Sequence, residues 1–216
     1  MTPGAWLSDP RLWRWGLAGL GGLALVTLVG AAGWAWHSAQ QSRGQAALAE
    51  ALVLVQQAQA PGAPTEARDG AMRALEAVLT EHSRLALLPQ AAYRLGNLRY
   101  EAAQYAGARG AYEITLAQGA SGTLRTLAAL GIGYTWEAEK DYAKAQSAYE
   151  AALRGLTAQD FPYEELLVNL GRVQDLGGNR PAAVETYQRV LKDLPQSRRA
   201  DEVRMRLAML QDPAAR

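Results

Sequence analysis

Nine side chains fall at matching offsets from three glycines, Gly96, Gly133 and Gly171, which are separated by 37 and 38 residues. They are Tyr93, Asn97 and Tyr100, then Leu130, Tyr134 and Glu137, then Val168, Arg172 and Asp175. Phenol rings and alkyl groups take up side chains, and the Asn97 amide can bond backbone. The set suits recognition of an extended or helical peptide. Candidates for bond-making chemistry are few. With no cysteine, disulfides, zinc–thiolate sites and thiol catalysis are excluded. His37 and His82 are lone imidazoles, and no phosphate-cradling glycine loop, dinucleotide fingerprint or zinc-binding histidine pair occurs. Glu164 and Glu165 near a helix start complement its dipole. Arg198, Arg199, Arg204 and Arg206 are interleaved with acids and read as a solvated face, and the net charge of +1 gives no pull toward nucleic acid. The expectation is no enzyme, no catalytic residue, no cofactor, no metal site and no nucleic-acid partner.

The elements that must hold those nine residues are helices. Ala, Leu, Gln, Glu and Arg are abundant, and β-branched residues are scarce. The stretch 126–153 reads as two short helices joined by a tight turn at Glu139-Lys140-Asp141. One face of the first carries Ala129, Ile132, Gly133 and Trp136; the second carries Tyr142, Ala145, Tyr149 and Ala152. Small Gly133 and Ala145 let the axes approach, with Trp136 and Tyr149 filling the space beside them. A pair this short needs neighbours like itself, and the chain supplies them. Ala108, Ala145 and Ala183 repeat with the glycine period, as do Tyr112, Tyr149 and Tyr187.

The segments 91–116, 128–153 and 166–191 resemble tetratricopeptide repeats (TPRs), with apolar-Gly in a first helix and Ala then an aromatic residue in a second. Departures are Arg99 and Gln174 at the usual aromatic position, Thr115 and Val190 at the usual small one, and extra residues at Gly119–Gly122 and Ala158–Pro162. The resemblance implies an all-α solenoid whose inner groove is lined by the first helices, and hence by the nine residues above. Repeat domains that clamp a C-terminal carboxylate use lysine, asparagine and arginine at fixed groove positions. Here Tyr93, Asn97, Gly131, Glu165 and Asn169 stand there, and only Asn97 fits. A receptor for chaperone tails is not expected.

Ahead of the repeats, Gly16 to Trp36 is a run of 21 residues without charge. At about 1.5 Å per residue it reaches roughly 32 Å, enough to cross a hydrocarbon core. Trp13, Trp15, Trp34 and Trp36 bracket it as interfacial aromatics would. A signal peptide would need a small-residue cleavage site where bulky Trp34-Ala35-Trp36 stands. Arg11 and Arg14 before the span, against Arg43 after it, put the N-terminus in the cytoplasm. Ala18 and Gly22 offer a small-residue face for helix–helix contact, consistent with a homo-oligomer. Beyond the span a helix continues to Gln59, Pro61–Pro64 stop it, and Thr65 is the expected N-cap of the next.

The expected layout is a cytoplasmic lead at 1–15, a transmembrane helix at 16–36, a linking helix with an atypical first repeat at 37–82, three repeats at 83–196, and a capping helix and tail at 197–216. This layout, with Gly33-Trp34, Trp36, Ser38 and Gln40-Gln41, resembles the ancillary SecYEG translocon subunit family of bacterial inner membranes. That resemblance implies a periplasmic repeat domain, with translocon components or periplasmic clients as partners. The alternatives are a structural scaffold for an envelope complex, a TPR adaptor unrelated to secretion, or a secreted soluble repeat protein cleaved near residue 36.

Overall fold

The computed structural model describes residues 10–212, with side chains from Leu20 onward except at 21 and 24. The lead at 1–15 and the first residues of the expected span, 16–19, lie outside the described side chains. Nine helices and no strand occur among the described residues. They are α1 (Pro10–Ala58), α2 (Thr65–Glu81), α3 (Leu88–Glu101), α4 (Tyr105–Ala117), α5 (Gly122–Ala138), α6 (Tyr142–Leu153), α7 (Tyr163–Leu176), α8 (Arg180–Asp193) and α9 (Ala200–Gln211). The chain divides after Ala46 into two units, inside α1.

In the first unit, Leu20, Leu23, Leu25, Val26, Leu28, Val29, Trp34 and Trp36 are all exposed. Among the described residues no helix is long and apolar enough to cross a membrane.

The second unit is a stack of helix pairs. Leu48, Ala51 and Val55 at the end of α1 pack with Ala71, Leu75 and Val78 of α2 and with Leu88, Leu95 and Leu98 of α3. Three pairs follow, α3/α4, α5/α6 and α7/α8, each closed by its tyrosine. Tyr112, Tyr149 and Tyr187 are buried, and their rings lie on the glycines of the facing helix. A Cβ at Gly96 would meet the Tyr112 ring at 2.5 Å, and one at Gly171 the Tyr187 ring at 2.8 Å. The period is therefore a packing period: the glycine makes room for a ring from the next helix. The turn inside each pair repeats as well. Ala103 (φ 57°), Lys140 (φ 61°) and Gly178 (φ 84°) all take the left-handed conformation at equivalent positions. Only Gly178 does so without a steric cost.

Several local expectations are corrected. Thr65 is the first residue of α2 and does not cap it; the N-cap is Pro64, without a side-chain bond. Of the face expected on α5, Gly133 is buried and Ala129, Ile132 and Trp136 are half-buried against the core, while Thr126, Ala128, Leu130, Gly131 and Thr135 are buried as well. This helix packs on α4 as well as α6, so its apolar stripe is turned toward two neighbours. Trp136 lies partly exposed between two cations. The Arg109 guanidinium is 3.6 Å from its ring centre and the Lys144 ammonium 4.3 Å. Arg99 and Gln174, at the equivalent places, also tie elements together. Arg99 pairs with Glu76 of α2 at 2.7 Å and donates to the Gly107 carbonyl, while Gln174 accepts from Thr186 at 2.7 Å.

Candidate protein-binding groove

The first helices α3, α5 and α7 lie side by side, joined by side-chain contacts from each to the next. Of the nine residues expected on their shared face, seven are half-buried there: Tyr93, Asn97, Tyr100, Tyr134, Glu137, Arg172 and Asp175. Leu130 and Val168 are not. They are 3 % and 1 % exposed and belong to the interior, Leu130 with Tyr149 and Leu166, Val168 with Tyr187 and Val203. Three residues before the glycine, α5 and α7 turn toward the following pair, and an alkyl side chain is drawn into the core. Tyr93 at the same offset on α3 keeps a partly wet hydroxyl and stays at the surface.

The groove has two parts of different character. Along α5 and α7 its polar groups satisfy one another. Tyr134 donates a short hydrogen bond to Glu165 and accepts one from Asn169 at 3.0 Å. Arg172 forms an ion pair with Glu137 and donates to Asn169 at 2.9 Å. Tyr149 donates to the other Glu137 oxygen at 3.0 Å. Burial, then the Glu165 bond, pushes the Tyr134 phenol far above its usual range, and burial also lowers the Arg172 guanidinium. These groups lock α5 to α7.

Along α3 the surface is aromatic and less committed. Tyr93 packs on Tyr112 with ring centres 5.8 Å apart; Tyr100 packs on Tyr105 at 5.6 Å and on Tyr134 at 6.3 Å. Tilted rings at these separations attract one another and leave edges for a ligand. Asn97 accepts from the Tyr112 hydroxyl at 2.9 Å through Oδ1. Its Nδ2 group and the hydroxyls of Tyr93 and Tyr100 have no hydrogen bond to another described residue. What the arrangement can do is hold a chain segment by ring contacts and a directed amide.

Glu165 and Asn169, which the sequence placed at groove positions without a role, both bond the Tyr134 hydroxyl, Glu165 from a half-buried position and Asn169 from a buried one. Cavities also lie elsewhere. One of about 720 Å³ is lined by Glu164, Asp193 and Ser197–Arg199; another of about 480 Å³ lies by Ala103–Gly107 and Glu139. Among the described residues no cluster of three acidic or histidine side chains is placed to hold a metal ion.

Fold and surface together define an α-helical repeat protein with an aromatic face on its first helices. The family model of the tetratricopeptide repeat matches residues 165–197, so the third pair is similar to a TPR unit. The two preceding pairs share its glycine, alanine and tyrosine positions. A solved structure with similarity is the crystal structure of a thermophilic TPR protein of Thermus thermophilus. It is 16% identical and covers 77% of this chain and 98% of its own, with a TM-score of 0.33. No curated protein matches the sequence.

Proposed function

We propose that this protein is a membrane-tethered protein-binding module whose first-helix groove holds other proteins. The observation that carries the reading is the α3 side of the groove, where Tyr93, Asn97 and Tyr100 present rings and hydrogen-bonding groups that the fold itself does not consume. The tether is supported by the uncharged run 16–36 and by the exposure of Leu20, Leu23, Leu25, Val26, Leu28 and Val29 with Trp34 and Trp36, a surface that lipid would cover. Confinement to a membrane raises effective concentration, so weak groove contacts suffice.

The finer reading follows the layout and the charge bias at the span. The N-terminus is cytoplasmic, the repeats are periplasmic in a bacterial inner membrane, and the partners are translocon components or clients emerging beside them. Two measurements test it. Protease added to spheroplasts should digest the repeats while intact cells protect them; protection until lysis would reverse the topology and remove the translocon role. A photocrosslinker at Tyr100 should capture many clients. Capture of one or two stoichiometric proteins, unchanged by Tyr93→Ala, would instead indicate a scaffold. Phe161, 81 % exposed, and Met205 and Met209 of α9 favour that second reading, since they offer apolar contacts away from the groove.

A further inference from the structure

Tyr93 and Tyr100 are seven residues apart on α3, almost two full turns, so they stand on one face about 10.5 Å apart along the axis. A polyproline II strand rises about 3.1 Å per residue and repeats every third, so prolines three apart stand about 9.3 Å apart. The two residues' positions along the helix come within about 1 Å of that spacing. Such a strand makes no internal hydrogen bonds and leaves its carbonyls free for a donor. Asn97 supplies one between the rings: the Tyr112 hydroxyl occupies its Oδ1 at 2.9 Å, which leaves Nδ2 to donate. Charge adds direction. Glu101, exposed beside Tyr100, and Glu165, across the groove on the Tyr134 hydroxyl, make no ion pair with a described cation. Glu137, by contrast, is neutralised by Arg172.

We propose that the α3 side of the groove takes a proline-rich segment in the polyproline II conformation, with a basic residue following it to meet Glu101 and Glu165. This rests on reading the groove as a protein-binding surface. Proline rings lie on Tyr93 and Tyr100, and one carbonyl accepts from Asn97. A segment already extended loses little entropy on docking, which suits a shallow site.

The test uses full-length protein in detergent micelles and three fluorescein-labelled peptides read by anisotropy. The first repeats Ala-Pro-Pro three times and ends in Lys-Lys; the second has every proline replaced by alanine; the third ends in Glu-Glu. The first should bind roughly tenfold or more tighter than either other, and Tyr93→Ala and Tyr100→Ala should each weaken it by about tenfold. Tyr100→Phe, which keeps the ring, should retain binding, and Glu101→Gln should narrow the gap between the Lys and Glu peptides. Equal binding of the proline and alanine peptides, lost in Tyr100→Ala, would overturn the proline inference and leave the groove reading standing. Failure of the first peptide to bind also overturns it, whatever the Tyr100 crosslinker captures in cells. Helical circular dichroism equal to wild type in each variant ties the losses to the surface.

Discussion

The Tyr112 ring on α4 lies directly against Gly131 of α5, where a Cβ would stand 2.6 Å from its Cζ. The same ring also lies on Gly96 of its own pair. One buried phenol thus closes a helix pair and seats the next pair on it. Gly131→Ala should destabilise the repeats by about 2 kcal/mol, because a methyl group cannot enter without moving the ring or the helix. Gly110→Ala, in mid-α4 with nothing within 4 Å of the added carbon, should be neutral or stabilise by up to about 1 kcal/mol. Urea titrations of both variants read the contrast. Equal effects would show that the ring is free to relax.

The left-handed turns make an opposite prediction. Lys140 and Ala103 hold positive φ with a Cβ, while Gly178 holds it without one. Lys140→Gly and Ala103→Gly should each stabilise by about 1 kcal/mol, and Gly178→Ala should cost a similar amount. Thermal unfolding followed by circular dichroism measures all three. A loss of stability in both glycine variants would place the cost of the turn elsewhere, in unfolded-chain entropy.

The ion pair between α5 and α7 couples neighbouring units. Glu137 is only 11 % exposed and also receives the Tyr149 hydroxyl. Arg172→Met should destabilise by about 1 to 2 kcal/mol, since it leaves a mostly buried carboxylate without its cation. Adding Glu137→Gln should recover much of that loss. A double-mutant cycle with no coupling would show that the pair orders side chains without holding the helices.

Two pH limits follow from named groups. The Arg199 bond holds the Glu202 carboxyl below its ordinary value of 4.5. A depressed carboxylate contributes stability that is present above 4.5 and lost as pH falls through the folded value. Glu202→Gln should therefore flatten the acid side of a plot of Tm against pH, and an unchanged slope would point to other carboxylates.

On the alkaline side, burial pushes the Tyr112 and Tyr149 phenols far above their ordinary value of 10.0. A raised phenol contributes stability that is complete below pH 10 and lost as pH rises beyond it. Their ionisation, followed at 295 nm, should coincide with loss of helix. Ionisation of all nine tyrosines in the chain with helices intact would show a core open to hydroxide.

Columns of residue type at fixed spacing determined the helix pairs in this protein. Glycine, alanine and tyrosine recur because close packing of two helices needs a small residue opposite a ring, and that need is local to each pair. The turn at Lys140 and the half-buried row from Tyr93 to Asp175 follow from the same period. What surrounds a pair is not local. Leu130 and Val168 were drawn into the core by the helix that packs next, and Trp136 lies half-buried against the core with Arg109 and Lys144 over its ring. Only tertiary structure decided that Glu165 would reach Tyr134 and that Glu137 would be neutralised by Arg172, because each contact spans more than thirty residues. Those contacts tie up the α5 and α7 side of this face and leave Tyr93, Asn97 and Tyr100 half-buried along α3.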